Sequence, residues 1–366
     1  MSFQLDCFFS KVTMVWLIST TMWIYKYLMS GHLFQPASAS GRLRLCEQQQ
    51  TPCTVGLCET AECVICCKGF AECRTSNGTQ PIPQTLPPKT EEMLLYYSGS
   101  PVGIFKSMFK RYIDLSNVTL YGNFSFLSPE TFSQHRFLHF FTLKHSLVSF
   151  LPDNLFHDFS RLVELVLPRN QFTSIPDNIF HLRKKITTLD FSHNPFDICR
   201  MTTIGEGFRR LPVLSVVRLA GLGASGNQTC SMDDNFLAPL GHITNLFLDL
   251  SESHILHRNE KLLLPLVSMR ELRISKLDPY RSCPSDANSL FKNIPKSLTK
   301  ITAESWKTNR PISKSCYLNE TSFAPFRGLK LVGLSFRYSD KIIGDELRSS
   351  MFEGIKMNSL DLTWCC

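Results

Sequence analysis

The sequence lacks long apolar segments: among its 366 residues, only one stretch approaches the length of a membrane span. That stretch is the uncharged run from Val12 to Tyr25, whereas a membrane-spanning helix needs about 20 apolar residues. A protein that crosses the membrane many times is therefore not predicted. With 43% hydrophobic residues, the chain also lacks the depleted composition of a disordered protein. Its length suits about two ordinary domains or one elongated repeat domain.

The sequence also lacks the motifs that accompany catalysis. We find no nucleophile elbow, no His-Glu-x-x-His pair and no glycine-rich phosphate loop. His135, His139 and His145 lie close together without the spacing of metal ligands, and we interpret them as surface residues of one structural unit. We therefore predict that the protein is not an enzyme and has no catalytic residue, metal site or cofactor.

The N-terminal apolar run is typical of a secretory signal. Lys11 precedes it, Lys26 follows it, and the Ala-x-Ala pattern of Ala37–Ala39 is typical of a cleavage site. We predict a signal peptide over residues 1–39, which directs the chain to the secretory pathway and outside the cell. The alternative is a retained signal anchor over residues 12–29.

The rest of the chain repeats one pattern. The clearest copy, Leu162 to Phe172, reads L-x-x-L-x-L-x-x-N-x-F, and related copies begin 24 residues earlier at Leu138 and 24 residues later at Ile186. Looser copies begin at Thr90, Lys110, Leu214, Ile243, Met269, Leu298, Leu331 and Met357. Residues 90–366 therefore contain about eleven units.

The pattern has a physical reason at each position. The fourth and sixth residues alternate, so both face inward from one short strand. The amide of the ninth residue, such as Asn170, satisfies buried backbone groups. In two of the looser copies, the inward fourth and sixth residues are Ile113 and Leu115, and Leu246 and Leu248. Because stacking closes each unit's apolar face, we predict an α/β leucine-rich-repeat solenoid with a curved parallel β-sheet on its concave face.

Cysteines are concentrated ahead of the repeats, where the open end of a solenoid needs a cap. Seven of the 14 are Cys46, Cys53, Cys58, Cys63, Cys66, Cys67 and Cys73. In a secreted chain, this density predicts a disulfide-rich N-terminal cap over residues 40–89. The alternative is a zinc site at the Cys-x-x-Cys motif Cys63–Cys66, but no second such motif follows. The pairing within the cap is not determined by the sequence.

Other positions are candidates for covalent modification. Cys199 and Cys230 lie one repeat apart, as do Cys283 and Cys316, so adjacent coils are expected to join each pair as a disulfide. Candidate N-glycosylation sites are Asn77, Asn117, Asn123, Asn227 and Asn319. Glycans on Asn117 and Asn123 are expected to shield the early repeats.

These features together resemble Toll-like receptor ectodomains. The resemblance rests on the signal segment, the cap followed by Ile82-Pro83 and Leu86-Pro87, and irregular repeats such as Leu162–Phe180. It covers about residues 46–366 and is more specific for extracellular leucine-rich repeats than for this receptor family. The family continues with a C-terminal cap, a transmembrane helix and a cytoplasmic signalling domain. The resemblance therefore implies an N-terminal fragment or a truncated gene model that ends within a repeat. The alternative is a short form that ends in the pair Cys365-Cys366.

The resemblance implies a function in recognition. The chain is expected to be the ligand-binding ectodomain of an innate immune receptor that signals by dimerisation through parts outside this sequence. Its expected partners are an extracellular protein, lipid or glycan ligand, a second receptor chain, and the membrane, through a C-terminal helix or a retained N-terminal anchor. The alternative is a secreted or matrix leucine-rich-repeat protein for binding or adhesion. Ligand-binding residues are not assigned.

The net charge of +8 is not concentrated on the predicted binding face. Basic residues at its outward strand positions are Lys144, Arg169, Arg218, Arg273, Lys276, Lys300 and Arg337. Acidic ones are Glu92, Asp114, Glu164, Asp190, Asp249, Glu271, Glu304 and Asp361. Aromatic ones are Tyr96, Tyr97, Phe140, Phe247, Tyr338 and Trp364. Because the two signs balance, a nucleic-acid partner is not predicted.

Overall fold

The structure is a computed structural model. It describes residues 59–60, 63–66, 69–76, 78, 80–153, 155–156, 159–180, 185–222, 233–253, 261–275, 293–304, 323–335 and 349–361. The predicted signal peptide over residues 1–39 lies outside these residues.

The described strands form a single sheet in which each strand pairs with the next one along the chain. They are β1 Glu59–Thr60, β2 Cys63–Cys66, β3 Phe70–Thr75, β4 Glu92–Ile104, β5 Asn117–Leu127, β6 Phe140–Lys144, β7 Glu164–Val166, β8 Thr188–Asp190, β9 Val216–Arg218, β10 Leu246–Asp249, β11 Met269–Arg273, β12 Lys300–Thr302, β13 Lys330–Ser335 and β14 Lys356–Asp361. The pairs β1–β2 and β2–β3 are antiparallel, and every later pair is parallel. Because neighbouring parallel strands require the chain to return after each strand, the chain forms a solenoid, which confirms the predicted fold.

The return segments contain little helix. The described helical pieces are α1 Lys106–Phe109 and short 3₁₀ turns at Glu206–Arg210, Ala238–Leu240, Ala324–Phe326 and Ser349–Phe352. Prolines Pro239 and Pro325 each lie in the first turn of their 3₁₀ segment, where a missing N–H removes no hydrogen bond.

The core lies inside the coils, as the repeat pattern predicts. Leu165 and Leu167 are fully buried, and Leu165 pairs in register with Phe141 on one side and Leu189 on the other. On the return side, the buried ring of Phe180 packs 5.6 Å from that of Phe208. Each such buried side chain stabilises the fold by roughly 1.5–3 kcal/mol relative to solvent exposure.

The ninth-position asparagine has the function that the sequence predicts. Asn170 is 2% exposed, and its amide nitrogen donates to the carbonyls of Leu143 and Leu167, each at 2.9 Å. Its amide oxygen accepts from Ser146 N at 3.1 Å and from Ser146 Oγ at 2.6 Å. Asn194 repeats this arrangement one coil later, donating to Leu167 O and Phe191 O. These amides join neighbouring coils where the strands end.

The register predicted for the second repeat is wrong. Ile113 is 52% exposed and Leu115 occupies the first repeat position rather than the sixth, because the strand begins at Asn117. The inward pair is Val118 and Leu120, which align with the inward residues of β4. Asp114, predicted to face outward from a strand, therefore precedes the strand. The two readings differ by five residues.

A second repeat is shifted by two residues. The structure aligns Leu248 with Val217 of β9 and with Leu272 of β11, so Leu248 takes the fourth position and Leu250 the sixth. The sequence assigned Leu246 and Leu248 to these positions. Because side chains alternate along a strand, a shift of two leaves the same residues facing inward, and all three leucines are buried.

The N-terminal cap continues the sheet of the repeats. Strand β3 pairs with β4 in parallel, and a disulfide joins the facing residues Cys63 and Cys73 of β2 and β3. Because Cys63 is in a disulfide, it is not available for the zinc site considered at Cys63–Cys66. Among the predicted cap cysteines, Cys46, Cys53, Cys58 and Cys67 lie outside the described residues, as does the side chain of Cys66.

Candidate recognition surface

The outward side chains of the parallel strands align in rows across the sheet. At the fifth repeat position, Asp190 of β8 pairs with Arg218 of β9, which pairs with Asp249 of β10, which pairs with Arg273 of β11. Charges alternate in sign along this row. This part of the sheet is therefore close to neutral, as the sequence predicts.

Charged side chains of the sheet also contact partners on neighbouring strands. The Arg218 guanidinium lies 5.9 Å from the ring centroid of Phe247, and Lys300 forms an ion pair with Glu271 at 3.2 Å. Burial raises the pKa of the Glu164 carboxyl, and Arg218 only partly offsets this. The Glu164 carboxyl therefore binds a proton more readily than an exposed glutamate does.

A different arrangement follows the strands, at the eighth repeat position. We call these residues the strand-end row: Gly122, His145, Arg169, His193, Gly221 and Glu252. All six have positive φ, between 53° and 118°. From His145 onward, each backbone N–H donates to a carbonyl of the next coil; the bond from Arg169 to Ser192 O measures 2.9 Å and that from Glu252 to Ser275 O also 2.9 Å. The positive φ is therefore a property of the turn that recurs in the six consecutive coils of β5 to β10.

Aromatic and basic side chains are in contact along the same edge. The guanidinium of Arg74 lies 5.2 Å from the ring centroid of Tyr96, which is 5.6 Å from that of Tyr121, and Tyr121 lies 4.7 Å from the ring of His145. Burial lowers the pKa of His145, and the charges of Arg169 and other basic neighbours lower it further. We define the tyrosine–basic row as Tyr96, Tyr121, Lys144, His145, Arg169 and His193.

A glycine marks the far end of this row. A Cβ on Gly221 would lie 2.7 Å from Nδ1 of His193, so only glycine leaves space for the imidazole. The His193 Nδ1 atom in turn lies 4.0 Å from a carboxylate oxygen of Glu252. An acidic residue thus ends the run of basic side chains.

The structure places only some of the predicted aromatic residues outward. Tyr96, Phe140 and Phe247 face out from the sheet, and Phe140 is exposed. Tyr97 is 3% exposed, so its outward prediction is wrong: the alternation of β4 turns it inward, where its hydroxyl donates to Ser100 O. Lys276, Arg337, Tyr338 and Trp364 lie outside the described residues.

His135 is not the surface residue that the sequence predicts. It is 1% exposed and fills the interior position that Tyr112 and Phe159 fill in the adjacent coils, with its ring 5.9 Å from that of Phe109 and 5.7 Å from that of Phe132. Within the described residues, neither ring nitrogen has a hydrogen-bond partner. Burial lowers its pKa below the usual 6.5, and nearby backbone carbonyls only partly oppose this.

The His135→Phe variant is expected to be more stable than the wild type, most clearly in acid. Because the folded pKa is lowered, the unfolded chain binds a proton first as the pH falls below about 6.5, and the stability falls with it. Phenylalanine removes this proton linkage and a buried unsatisfied group worth about 1–3 kcal/mol. Urea unfolding at pH 7.5 and pH 5.5 measures both effects. The control is His139→Phe. If the stability of His135→Phe falls between pH 7.5 and pH 5.5 as steeply as that of the wild type or of the control, this assignment is wrong.

Two of the five candidate glycosylation sites lie on β5. Asn117 is half-buried at the start of the strand, facing out between Glu92 and Phe140. Asn123 is exposed, and its amide nitrogen donates to Gly99 O at 2.9 Å. Glycans at these positions stay a prediction. Asn77, Asn227 and Asn319 lie outside the described residues.

Cys199 is exposed and disulfide-bonded. Its predicted partner, Cys230, lies outside the described residues, as do Cys283 and Cys316. In the described part of the chain, no three His, Cys, Asp or Glu side chains are grouped to hold a metal ion. In the same part, no helix has the length and apolar character needed to cross a membrane.

The sequence matches no protein-family model and no curated protein sequence. The fold is nevertheless shared with solved structures, of which 288 chains match. One is Toll in the Drosophila Toll–Spatzle complex, described as a hub in development and innate immunity. The TM-score is 0.52 at 14% sequence identity, over 82% of this chain and 44% of that one. This chain therefore spans less than half the length of that ectodomain and shares its fold.

Proposed function

We propose that the chain is a non-enzymatic, ligand-binding ectodomain of a Toll-like innate immune receptor. It acts outside the cell, anchored at the cell surface by a later part of the same protein. The observation that carries this proposal is the solenoid itself: eleven consecutive parallel strands, β4 to β14, present ordered rows of outward side chains. A surface built in this way suits the recognition of a large partner.

In this proposal, the ligand contacts the outward rows and brings two receptor chains together. The sheet that carries the rows is rigid because neighbouring coils are hydrogen-bonded along the strands, at the strand-end row and at the buried amides of Asn170 and Asn194. Rigid, pre-ordered side chains lose little conformational entropy on binding. Signalling then follows from the approach of the two chains, through segments beyond this sequence.

A bivalent antibody tests this proposal without knowledge of the ligand. The full transcript is expected to continue into an apolar segment of about 20 residues and a signalling domain. When the full-length protein is expressed at the cell surface, a bivalent antibody against residues 90–366 is expected to activate an innate immune reporter. Its monovalent Fab fragment, the matched control, is not. Equal responses to both, or a transcript that ends after a C-terminal cap, favour a secreted binding or adhesion protein.

A further inference from the structure

We propose that the tyrosine–basic row binds an acidic segment of a protein partner. The inference rests on the proposed function and adds to it a surface and a class of ligand. The row lies across the ends of β4 to β8, where side chains from five coils meet.

The row offers positive charge that no acidic side chain of the described residues pairs with at Lys144 or Arg169. Within the described residues, neither Lys144 nor Arg169 has an acidic group within 4.0 Å, whereas Arg74, Lys106 and Lys300 are each paired with a glutamate. Arg169 is exposed, and its guanidinium presents a planar set of donors that matches a carboxylate. A carboxylate placed here gains two hydrogen bonds without displacing an internal partner.

Aromatic side chains flank this charge in a fixed arrangement. The rings of Tyr96, Tyr121 and His145 are in tilted contact at centroid distances of 5.6 and 4.7 Å, and each is at least partly accessible. Tyrosine and arginine are enriched at the energetic centres of protein interfaces, because they combine a large contact area with hydrogen-bonding groups. Their mutual contact restricts their motion before any partner arrives.

The charges around the row favour a protein over a uniform polyanion. Asp190 lies in register one strand from Val166, and its carboxylate accepts from Ser192 N beside the row. Glu252 closes the row next to His193. A heparin or polyphosphate chain lying along the row meets both carboxylates and is repelled. A protein segment can place its few carboxylates on Lys144 and Arg169 alone.

Binding of an acidic peptide to the purified chain tests the inference. The probes are a fluorescent helical peptide that carries glutamate and tyrosine on one face and, as the polyanion, a fluorescent heparin oligosaccharide. Fluorescence anisotropy at 0.1 M salt measures both. The wild type is expected to bind the peptide more tightly than the heparin oligosaccharide. The Arg169→Glu variant is expected to bind the peptide at least tenfold more weakly.

The charge reversal suits the backbone, because Glu252 already occupies the same repeat position at φ 59°, close to 56° at Arg169. The matched control is Lys185→Glu, an exposed lysine just before β8 and outside the row. This control is expected to change peptide affinity less than twofold. Equal unfolding curves for the three proteins establish that the fold is unchanged.

Two results overturn the inference. One is peptide binding that is absent or unaffected by Arg169→Glu. The other is Arg169-dependent binding of the heparin oligosaccharide that is tighter than that of the peptide, which assigns the row to a polyanion. Neither result affects the antibody experiment, because a bivalent antibody brings receptors together without this row. If the antibody activates the full-length receptor while peptide binding is absent or unaffected by Arg169→Glu, this inference has failed and the proposed function has not.

Discussion

Replacing Gly122 by alanine is expected to cost about 4 kcal/mol of stability and to prevent secretion of the folded chain. Gly122 has φ of 118°, a conformation that residues with a Cβ rarely adopt. A Cβ at this position would lie 1.8 Å from the carbonyl oxygen of Tyr97, so β4 and β5 would have to separate. Backbone strain and overpacking each contribute about 1–3 kcal/mol. Urea unfolding of the purified variant and its yield in the culture medium measure the effect.

Gly328→Ala is the matched control for this prediction. Gly328 also has a positive φ, of 83°, but a Cβ there would have no atom within 4 Å. The control therefore isolates the backbone strain, which is about 1–2 kcal/mol for a left-handed residue. If the two variants lose similar stability, the contact with the Tyr97 carbonyl is not what requires glycine at position 122.

Removing the Asn170 side chain is expected to cost about 3–5 kcal/mol. Asn170→Ala leaves Ser146 N–H and the carbonyls of Leu143 and Leu167 buried without this amide. Each unsatisfied buried group costs about 1–3 kcal/mol, and the cavity adds to this. The neighbouring Gln171→Ala is the control, because the Gln171 side chain is exposed. Chemical unfolding at neutral pH measures both.

The isosteric Asn170→Asp variant tests whether the hydrogen bonds donated by the amide nitrogen make the main contribution to stability. A carboxylate still accepts from Ser146 but repels the carbonyls of Leu143 and Leu167. The variant should therefore be as destabilised as Asn170→Ala at neutral pH. It should regain stability relative to wild type as the pH falls through the carboxyl's pKa, because a protonated carboxyl donates one hydrogen bond. No such recovery in acid contradicts this account.

The sequence was most informative in the two repeats whose ninth-position asparagine, Asn170 or Asn194, is buried. In those coils, the spacing from Leu162 to Asn170 placed strand, core and amide correctly, because one local pattern specifies all three. The pattern is weaker in β5: Ile113 and Leu115 alternate as Val118 and Leu120 do, and both registers bury Leu115. The close contact of Gly122 with Tyr97 distinguishes the two registers, and it joins residues 25 positions apart.

In β10, the ninth residue is Ser253 rather than asparagine. Its hydroxyl accepts from Leu222 N and donates to Leu219 O, as an asparagine amide would. Serine is too common in proteins for this role to be recognised from the sequence. The repeat predicted from the sequence was therefore placed two residues too early. The ladder with β9 and β11 resolves the position because it fixes the strand from both sides.

The tyrosine–basic row was not predicted from the sequence, although its members were visible. Arg169 was counted only as one of several outward charges, and His145 was grouped with His135 by proximity along the chain. Tyr121 and His145 are 24 residues apart, and their contact depends on the strand pairing of β5 and β6. The available signal was the eighth repeat position, which collects His145, Arg169 and His193 once the units are aligned.

The hydrogen-bond ladder of the strand-end row also sets a period. Parallel strands lie about 4.8 Å apart, so side chains from successive coils recur at that step whichever residues occupy the positions. In an extended peptide that crosses the coils, side chains on the same side are about 6.6–6.8 Å apart. Because this spacing exceeds that of the strands, the two sets of side chains no longer match after two coils. Neighbours on one face of an α-helix are about 5–6 Å apart, much closer to the ladder's step. The backbone of the solenoid thus favours a helical partner segment over an extended one at Lys144, Arg169 and His193.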